Sequence, residues 1–140
     1  MKKITLFIVL FFSILINAQE TKTLQNSFNQ AKQENKKVLF YFSGSDWCSP
    51  CVKFKKNYIE TEVFKEFAQK NLILFNADFP KQKKNQLSKE QTIENELLAE
   101  KYNSKGLFPL ILLLDQNGTI LKKWEKAPSE TLEEFIAQLQ

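Results

Sequence analysis

The sequence contains no histidine and no arginine, and it has only two cysteines among its 140 residues. Without histidine it cannot form a Ser-His-Asp triad, a Cys-His pair or a His-ligated metal site. Two cysteines cannot complete a four-ligand zinc site, and they exclude a scaffold held together by many disulfides. These absences remove much of the common enzyme chemistry.

The remaining composition suits one domain. Hydrophobic residues make up 43% of the chain and aromatic residues 13%, which is enough to bury a core. The 20 basic residues are all lysines and are interspersed with 16 acidic ones, whereas a nucleic-acid surface needs a broad basic stripe, often with guanidinium groups. We therefore expect no nucleic-acid partner and interpret the cluster of Lys81, Lys83 and Lys84 as solvated side chains.

Residues 1–18 have the pattern of a signal peptide. Two lysines precede an apolar run at residues 4–16, and Ala18 offers a small residue for cleavage. As a helix this run would span about 20 Å, short of the ~30 Å hydrocarbon core of a membrane. The sequence therefore predicts a periplasmic or otherwise exported protein whose domain comprises residues 19–140. An uncleaved membrane anchor is the alternative.

Hydrophobic periodicity predicts alternating helices and strands over the rest of the chain. Helices are expected at about 23–35, 52–67, 88–98 and 132–139, and strands at 38–42, 72–75, 110–114 and 119–124. Thr61 is expected to break the second helix and to cap the piece that follows it, and Ser88 with Gln91 matches a capping box. Asn117-Gly118 predicts the two-residue turn of a β-hairpin.

This order of elements indicates an α/β fold. Strands separated by helices favour parallel neighbours, and the hairpin adds an antiparallel edge. The expected result is a four-stranded mixed sheet sandwiched by helices.

The chemistry lies in Trp47-Cys48-Ser49-Pro50-Cys51, which follows a predicted strand and opens a helix. The first turn of a helix has unpaired N–H groups and the positive end of the dipole, so it favours a thiolate on the first cysteine. The second cysteine lies one turn along, close enough to resolve a mixed disulfide. Pro50 fits the first turn, where its missing N–H costs nothing. The segment favours redox chemistry.

Other interpretations of this pair remain open: an inert disulfide, two buried thiols, or part of a metal site. A disulfide that closes so short a loop contributes little stability. Copper handling usually requires a histidine or methionine ligand as well, and the only methionine is Met1. Redox catalysis is therefore the favoured interpretation.

Several segments together carry a resemblance to a known family. They are 38–42, Asp46-Trp47-Cys48-Ser49-Pro50-Cys51, Phe75-Asn76-Ala77-Asp78, 99–102, Gly106-Leu107-Phe108-Pro109, 110–114, Asn117-Gly118 and the last helix. On these the chain resembles the thioredoxin superfamily, and within it exported bacterial proteins similar to the periplasmic domain of disulfide-interchange reductases. The resemblance implies a thioredoxin fold, here with an extra N-terminal helix, and dithiol–disulfide exchange with protein substrates.

The resemblance also implies roles for individual residues. Cys48 falls on the family's nucleophile and Cys51 on its resolving thiol, so the two would form the redox disulfide. Pro109 falls on the cis-proline whose loop pairs with the substrate backbone, although from sequence alone an X-Pro bond is cis only about 5–6% of the time. The remaining substrate-binding candidates are Trp47, Ser49, Pro50 and Phe108. No metal and no other cofactor is implied.

Two departures from the family pattern are visible. Many thioredoxins carry a buried acid in the first core strand, and this chain has Phe42 there, which leaves the proton acceptor for the resolving cysteine unidentified. The segment 79–96 is longer than the equivalent connection in small thioredoxins. It is either an insertion that shapes partner choice or a solvated loop.

We therefore expect an exported thiol–disulfide oxidoreductase, of the protein-disulfide reductase type, that reduces or reshuffles protein disulfides. It would act as a monomer and take electrons from a membrane donor. The alternative is a non-catalytic thioredoxin-fold module that binds clients or acts as a chaperone in the cell envelope. Replacing Cys48 distinguishes the two, because only the oxidoreductase would lose its function.

Overall fold

The computed structural model describes residues 23–140. The α-helices are α1 (Leu24–Glu34), α2 (Ser49–Phe54), α3 (Glu62–Asn71), α4 (Lys89–Tyr102) and α5 (Leu132–Ala137). The strands are β1 (Lys37–Ser43), β2 (Leu72–Asp78), β3 (Leu110–Leu114) and β4 (Ile120–Trp124). A π-helical turn, Lys55–Ile59, continues α2, and a 3₁₀ turn, Lys83–Asn85, interrupts the loop before α4.

The four strands form one mixed sheet in the order β2-β1-β3-β4. β1 and β2 pair in parallel, as the helical connection between them predicts. β3, however, pairs with β1 in the antiparallel direction, so the expectation of parallel neighbours fails for this strand. The connection from β2 through α4 returns the chain to the edge of the sheet where β1 and β2 end, so β3 starts there, on the other side of β1, and runs in the opposite direction. The β3–β4 hairpin is antiparallel, as predicted.

Alternating side chains of the sheet build a hydrophobic core on each of its faces. One core places residues such as Phe40, Phe75 and Leu112 against helices α1 and α4. The other core places Leu39 and Tyr41 of β1, together with Ile111 and Leu113 of β3, against α2, α3 and α5. The sheet is therefore covered by helices on both sides, and its central strands β1 and β3 are almost wholly buried.

Local signals in the sequence correctly locate the starts of three helices. Thr23 caps α1 through a bond from the Asn26 N–H, and Thr61 caps α3 through a bond from the Phe64 N–H. The predicted break at Thr61 is thus confirmed. Ser88 caps α4 by accepting the Gln91 N–H at 3.1 Å.

The hairpin turn is longer than predicted. Asn117 and Gly118 do lie in it, but the connection runs over residues 115–119 and is closed by a bond from the Asp115 N–H to the Thr119 carbonyl. Asp115 Oδ1 accepts the N–H groups of Asn117 and Thr119, and this side-chain turn starts the connection earlier. Gly118 has φ of +85°, a conformation that favours glycine.

The predicted signal peptide, residues 1–18, lies outside the described residues. Between residues 23 and 140, none of the helices combines the length and the apolar character needed to cross a membrane.

Candidate redox site

The two cysteines lie at the start of α2 and are joined by a disulfide, with the sulfurs 2.07 Å apart and the Cα atoms 5.2 Å apart. Cys48 is the N-cap residue of the helix, and its Sγ accepts a hydrogen bond from the Cys51 N–H at 3.2 Å. Both residues are buried, whereas Ser49 and Pro50 between them are exposed. An N–H directed at Cys48 Sγ favours negative charge on that sulfur after reduction.

A tight turn after β1 presents the disulfide and Trp47 at one edge of the sheet. The Gly44 carbonyl accepts the N–H groups of Trp47 and Cys48, at 3.2 and 2.8 Å. The Trp47 ring folds back onto Gly44, where a Cβ would clash with the indole. Glycine is therefore required here for close approach, not for backbone conformation.

Trp47 is held in place although 40% of its surface is exposed. Its Nε1 donates to the Phe79 carbonyl at 2.7 Å, and its ring meets Phe108 edge-on at a centroid distance of 5.2 Å. Lys81 Nζ lies 4.2 Å from the ring centroid, within the range of a cation–π contact. The indole thus joins the dithiol segment to the loop after β2.

Asp46 makes the same connection through its carboxylate, a role that the sequence does not reveal. It accepts the backbone N–H groups of Lys81 and Gln82, both at 2.9 Å, and the Asn85 side-chain amide at 3.0 Å. These bonds, the Lys81 N–H first among them, hold the pKa of Asp46 below its usual range. The contacts join residues 35 to 39 positions apart, which explains why no local pattern indicates them.

The Phe108–Pro109 peptide bond is cis, as the resemblance implies. Pro109 is buried and lies directly before β3. The loop that leads to it is anchored by the buried Asn103, whose side chain donates to the Leu107 carbonyl at 2.9 Å and accepts the Leu107 N–H at 2.8 Å. Asn103 is a second positioning residue that sequence analysis missed.

Phe42, at the position where the family resemblance implies an acid, belongs to a row of aromatic rings. It stacks on Phe79 at 6.4 Å, Phe79 meets Phe108 at 5.6 Å, and Phe108 meets Trp47. The row runs from the core to the exposed indole, so Phe42 supports the surface formed by Phe108 and Trp47 and carries no proton-accepting group.

A groove of about 860 Å³ opens beside Trp47 and Phe108. Its far wall is formed by the 79–96 segment, including Phe79, Leu87 and Ile93. Since Asp46 and Trp47 hold this segment against the turn that carries Cys48, the segment is part of the site and not a detached loop.

A smaller cavity of about 330 Å³ lies on the Cys51 side of the site. Residues from β1, the dithiol turn, the start of α2, the π-turn and β2 line it: Tyr41, Ser43, Ser45, Cys51, Val52, Lys55, Lys56, Glu60 and Asn76. Burial, together with the negative charges of Asp78 and Glu60, raises the pKa of Tyr41 to about 12, so its hydroxyl stays protonated.

Across residues 23–140 no group of three or more histidine, cysteine or acidic side chains is arranged to hold a metal ion. The chemical capability of the site lies in its disulfide.

A protein-family model described as "Thioredoxin-like" matches residues 19–116. Among curated proteins, the chain is similar to the disulfide bond reductase DsbH of Chlamydia pneumoniae, with 33% identity over 97 residues. That alignment covers 69% of this chain and 57% of the relative, so the chain spans less than two thirds of that protein's length.

Solved structures are similar over more of their length. A DsbH oxidoreductase matches with a TM-score of 0.71 and 27% identity, covering 86% of this chain and 83% of the other. The oxidised C-terminal domain of DsbD from Neisseria meningitidis matches with a TM-score of 0.52 and 16% identity, over 80% and 85%. A disulphide isomerase from Xylella fastidiosa Temecula1 matches at 0.60 and 14%, over 82% and 86%. At such identities the last two show the fold alone.

Proposed function

This chain belongs to the thioredoxin-like family, and we propose that it is a thiol–disulfide oxidoreductase of the protein-disulfide reductase type. The observation that carries the proposal is the Cys48–Cys51 pair at the start of a helix, with the Cys51 N–H directed at Cys48 Sγ. The similarity to a disulfide bond reductase supports the same activity.

In this proposal Cys48 is the nucleophile. After an electron donor reduces the pair, the Cys48 thiolate attacks a client disulfide and forms a mixed disulfide. Cys51 then attacks Cys48 Sγ, which releases the reduced client and restores the disulfide. Ser49-Pro50 lies between the cysteines in place of the histidine that strong oxidants of this superfamily often hold there, and this favours the reducing direction.

The client would bind across Trp47, Ser49, Pro50, Phe108 and Pro109. Ser49 and Pro50 are exposed beside the disulfide, and the Trp47–Phe108 contact borders the groove. The 79–96 segment would contribute to client choice, because it forms the opposite wall.

We further propose that the protein is exported, with residues 1–18 removed as a signal peptide, and that it works as a monomer with a membrane electron donor. The basic start, the short apolar run and Ala18 support export. Mass spectrometry of the protein isolated from the cell envelope should find Gln19 at its N-terminus, and an intact Met1 would indicate the uncleaved anchor instead.

The function is tested by trapping clients. In Cys51→Ser the mixed disulfide cannot be resolved, so envelope proteins should remain linked to Cys48 on non-reducing gels and separate on reduction. Cys48→Ser is the matched control, since it retains the fold but lacks the nucleophile. No linked proteins in Cys51→Ser, together with equal recovery of clients by both variants in a native pull-down, would support a non-catalytic binding module and contradict the reductase.

A further inference from the structure

Resolution of a mixed disulfide requires Cys51 to lose its proton in a buried position. Only 3% of Cys51 is exposed, and burial disfavours a thiolate. Phe42, at the position where the family resemblance implies an acid, has no ionisable group and lies fully buried among aromatic rings. Another group must therefore accept this proton.

The cavity beside Cys51 contains a candidate proton acceptor. With about 330 Å³ it has room for several waters, each of which occupies ~30 Å³ in the liquid. Hydroxyl and amide groups of Tyr41, Ser43 and Asn76 provide partners for such waters. Cys51 and Glu60 both line this cavity.

Glu60 is the one carboxylate among the described residues that line the cavity. Lys55 and Lys56 are cations that have no site for another proton, and the raised pKa of Tyr41 keeps its phenol neutral. Another acid, Asp78 at the end of β2, accepts bonds from two residues that line the cavity: from Ser43 Oγ and from the N–H and Oγ of Ser45. It lines the groove on the Trp47 side and not the Cys51 cavity.

We propose that Glu60 accepts the Cys51 proton through water in this cavity, in place of the buried acid; the inference rests on the dithiol function proposed above. The Cys51 S–H bond breaks and its proton passes to the Glu60 carboxylate. The Cys51 thiolate attacks Cys48 Sγ, the Cys48–Cys51 bond forms, and the bond from Cys48 to the client sulfur breaks. The bonding electron pair leaves with the client sulfur, which takes up a proton and departs as a thiol.

Lys55 assists this step from the same cavity. Its Nζ lies 3.4 Å from Glu60 Oε1, and it places a positive charge at the cavity in which the Cys51 thiolate would form. About half of each of these two side chains is exposed, so salt screens the pair.

The test separates the two steps of one reaction. The reduced protein is mixed with 5,5′-dithiobis(2-nitrobenzoate) in a stopped-flow instrument, where attack by Cys48 and resolution by Cys51 each release one coloured thiol. In Glu60→Gln the second, unimolecular phase should slow about tenfold at pH 6 to 7, below the ~10²–10⁴-fold range of directly placed general bases. The difference should vanish near pH 9, where hydroxide takes the proton. Glu60→Asp should recover part of the rate.

Two variants serve as controls. Glu62→Gln removes a nearby exposed acid that pairs with Lys65 and lies outside the cavity, and it should leave both phases unchanged. The first phase, which needs only Cys48, should be the same in all variants and reports an intact site.

The outcomes are distinct. Second phases that are equal in the wild type and Glu60→Gln from pH 6 to 9 would overturn the inference, as would a loss in Asp78→Asn with Glu60→Gln unaffected. A wild-type protein that shows no first phase would instead refute the proposed oxidoreductase function.

Discussion

Cys48 and Cys51 are almost equally buried, but their surroundings differ. The sulfur of Cys48 accepts a hydrogen bond from a backbone N–H at the start of α2. Cys51 lies one helical turn further along and lines a cavity that is also lined by charged side chains. Two cysteines of one sequence motif therefore take different parts in the proposed reaction.

At the residue scale we predict that Cys48 is the more reactive thiol. In the reduced protein at pH 7, iodoacetamide should modify Cys48 at least about tenfold faster than Cys51, because the N–H at the helix start favours the thiolate. Peptide mass spectrometry of time points measures both rates in one sample. Equal rates of modification at the two residues would contradict the assignment of Cys48 as the nucleophile.

A second residue-scale prediction concerns Asp46, whose carboxylate binds the loop of Lys81, Lys83 and Lys84. In Asp46→Asn the charge-assisted bonds to the loop are lost, so trypsin should cleave after these lysines faster while the core stays folded. Asp115→Asn is the matched control, since its carboxylate likewise accepts N–H groups of an exposed turn but far from this loop. Unchanged cleavage in Asp46→Asn would show that other contacts hold the loop.

The pH dependence of the same loop follows from the lowered pKa of Asp46. A carboxyl group with a pKa lower in the folded state stabilises that state above its unfolded pKa of ~3.9, and the contribution is lost as the pH falls through the folded value. The amide resonances of Lys81 and Gln82 should therefore be constant from pH 5 to 8 and titrate only below about pH 4.

At the scale of elements, the segment after the cysteines is built from α2, a π-turn and α3. Thr61 marks the junction: its Oγ1 accepts the Phe64 N–H at 3.3 Å and donates to the Tyr58 carbonyl at 2.8 Å. Thr61→Ala should lower the free energy of unfolding by about 1 kcal/mol, the usual value of a lost cap. Urea denaturation measures this, and Thr61→Ser, which keeps the hydroxyl, should retain most of the stability.

Elements could be predicted where the signal is local. The capping threonine at 61 and the apolar run at 110–114 are both recognisable from a few consecutive residues, and the helix start and the strand that they predict are confirmed. The direction of β3 is predicted wrongly, because it depends on the edge of the sheet to which the connection through α4 returns the chain. The hairpin length was missed because the Asp115 carboxylate, not the Asn117-Gly118 pair, determines where the turn begins.

The same division holds for the site. The cysteine motif and Pro109 are recognisable as sequence patterns, whereas Asp46, Asn103 and Glu60 have no pattern of their own. Asp46 acquires its contacts from a loop 35 or more positions away, and Glu60, which follows the π-turn after α2, shares a cavity with Cys51 nine positions earlier. Such roles follow from packing and not from spacing.

At the scale of the whole molecule, the two hydrophobic cores hold the sheet between its helices, and the site lies at one edge of that sheet. The dithiol turn follows β1, the loop that begins at Phe79 follows its parallel neighbour β2, and Pro109 precedes the antiparallel β3. Strand directions thus bring these three loops to the same edge. The reduction potential of the Cys48–Cys51 disulfide therefore depends on all three loops.

That potential is the most direct test of the proposed reductase. With Ser49-Pro50 between the cysteines and the acidic Asp46 nearby, the reduced form lacks the thiolate stabilisation that makes a strong oxidant. Equilibration with glutathione redox buffers, followed by mass analysis of alkylated protein, should give a value nearer to about −270 mV, as in thioredoxin, than to the −120 mV or so of the strongest oxidants. A value above roughly −150 mV, or a Cys48–Cys51 disulfide that does not equilibrate at all, would contradict the account.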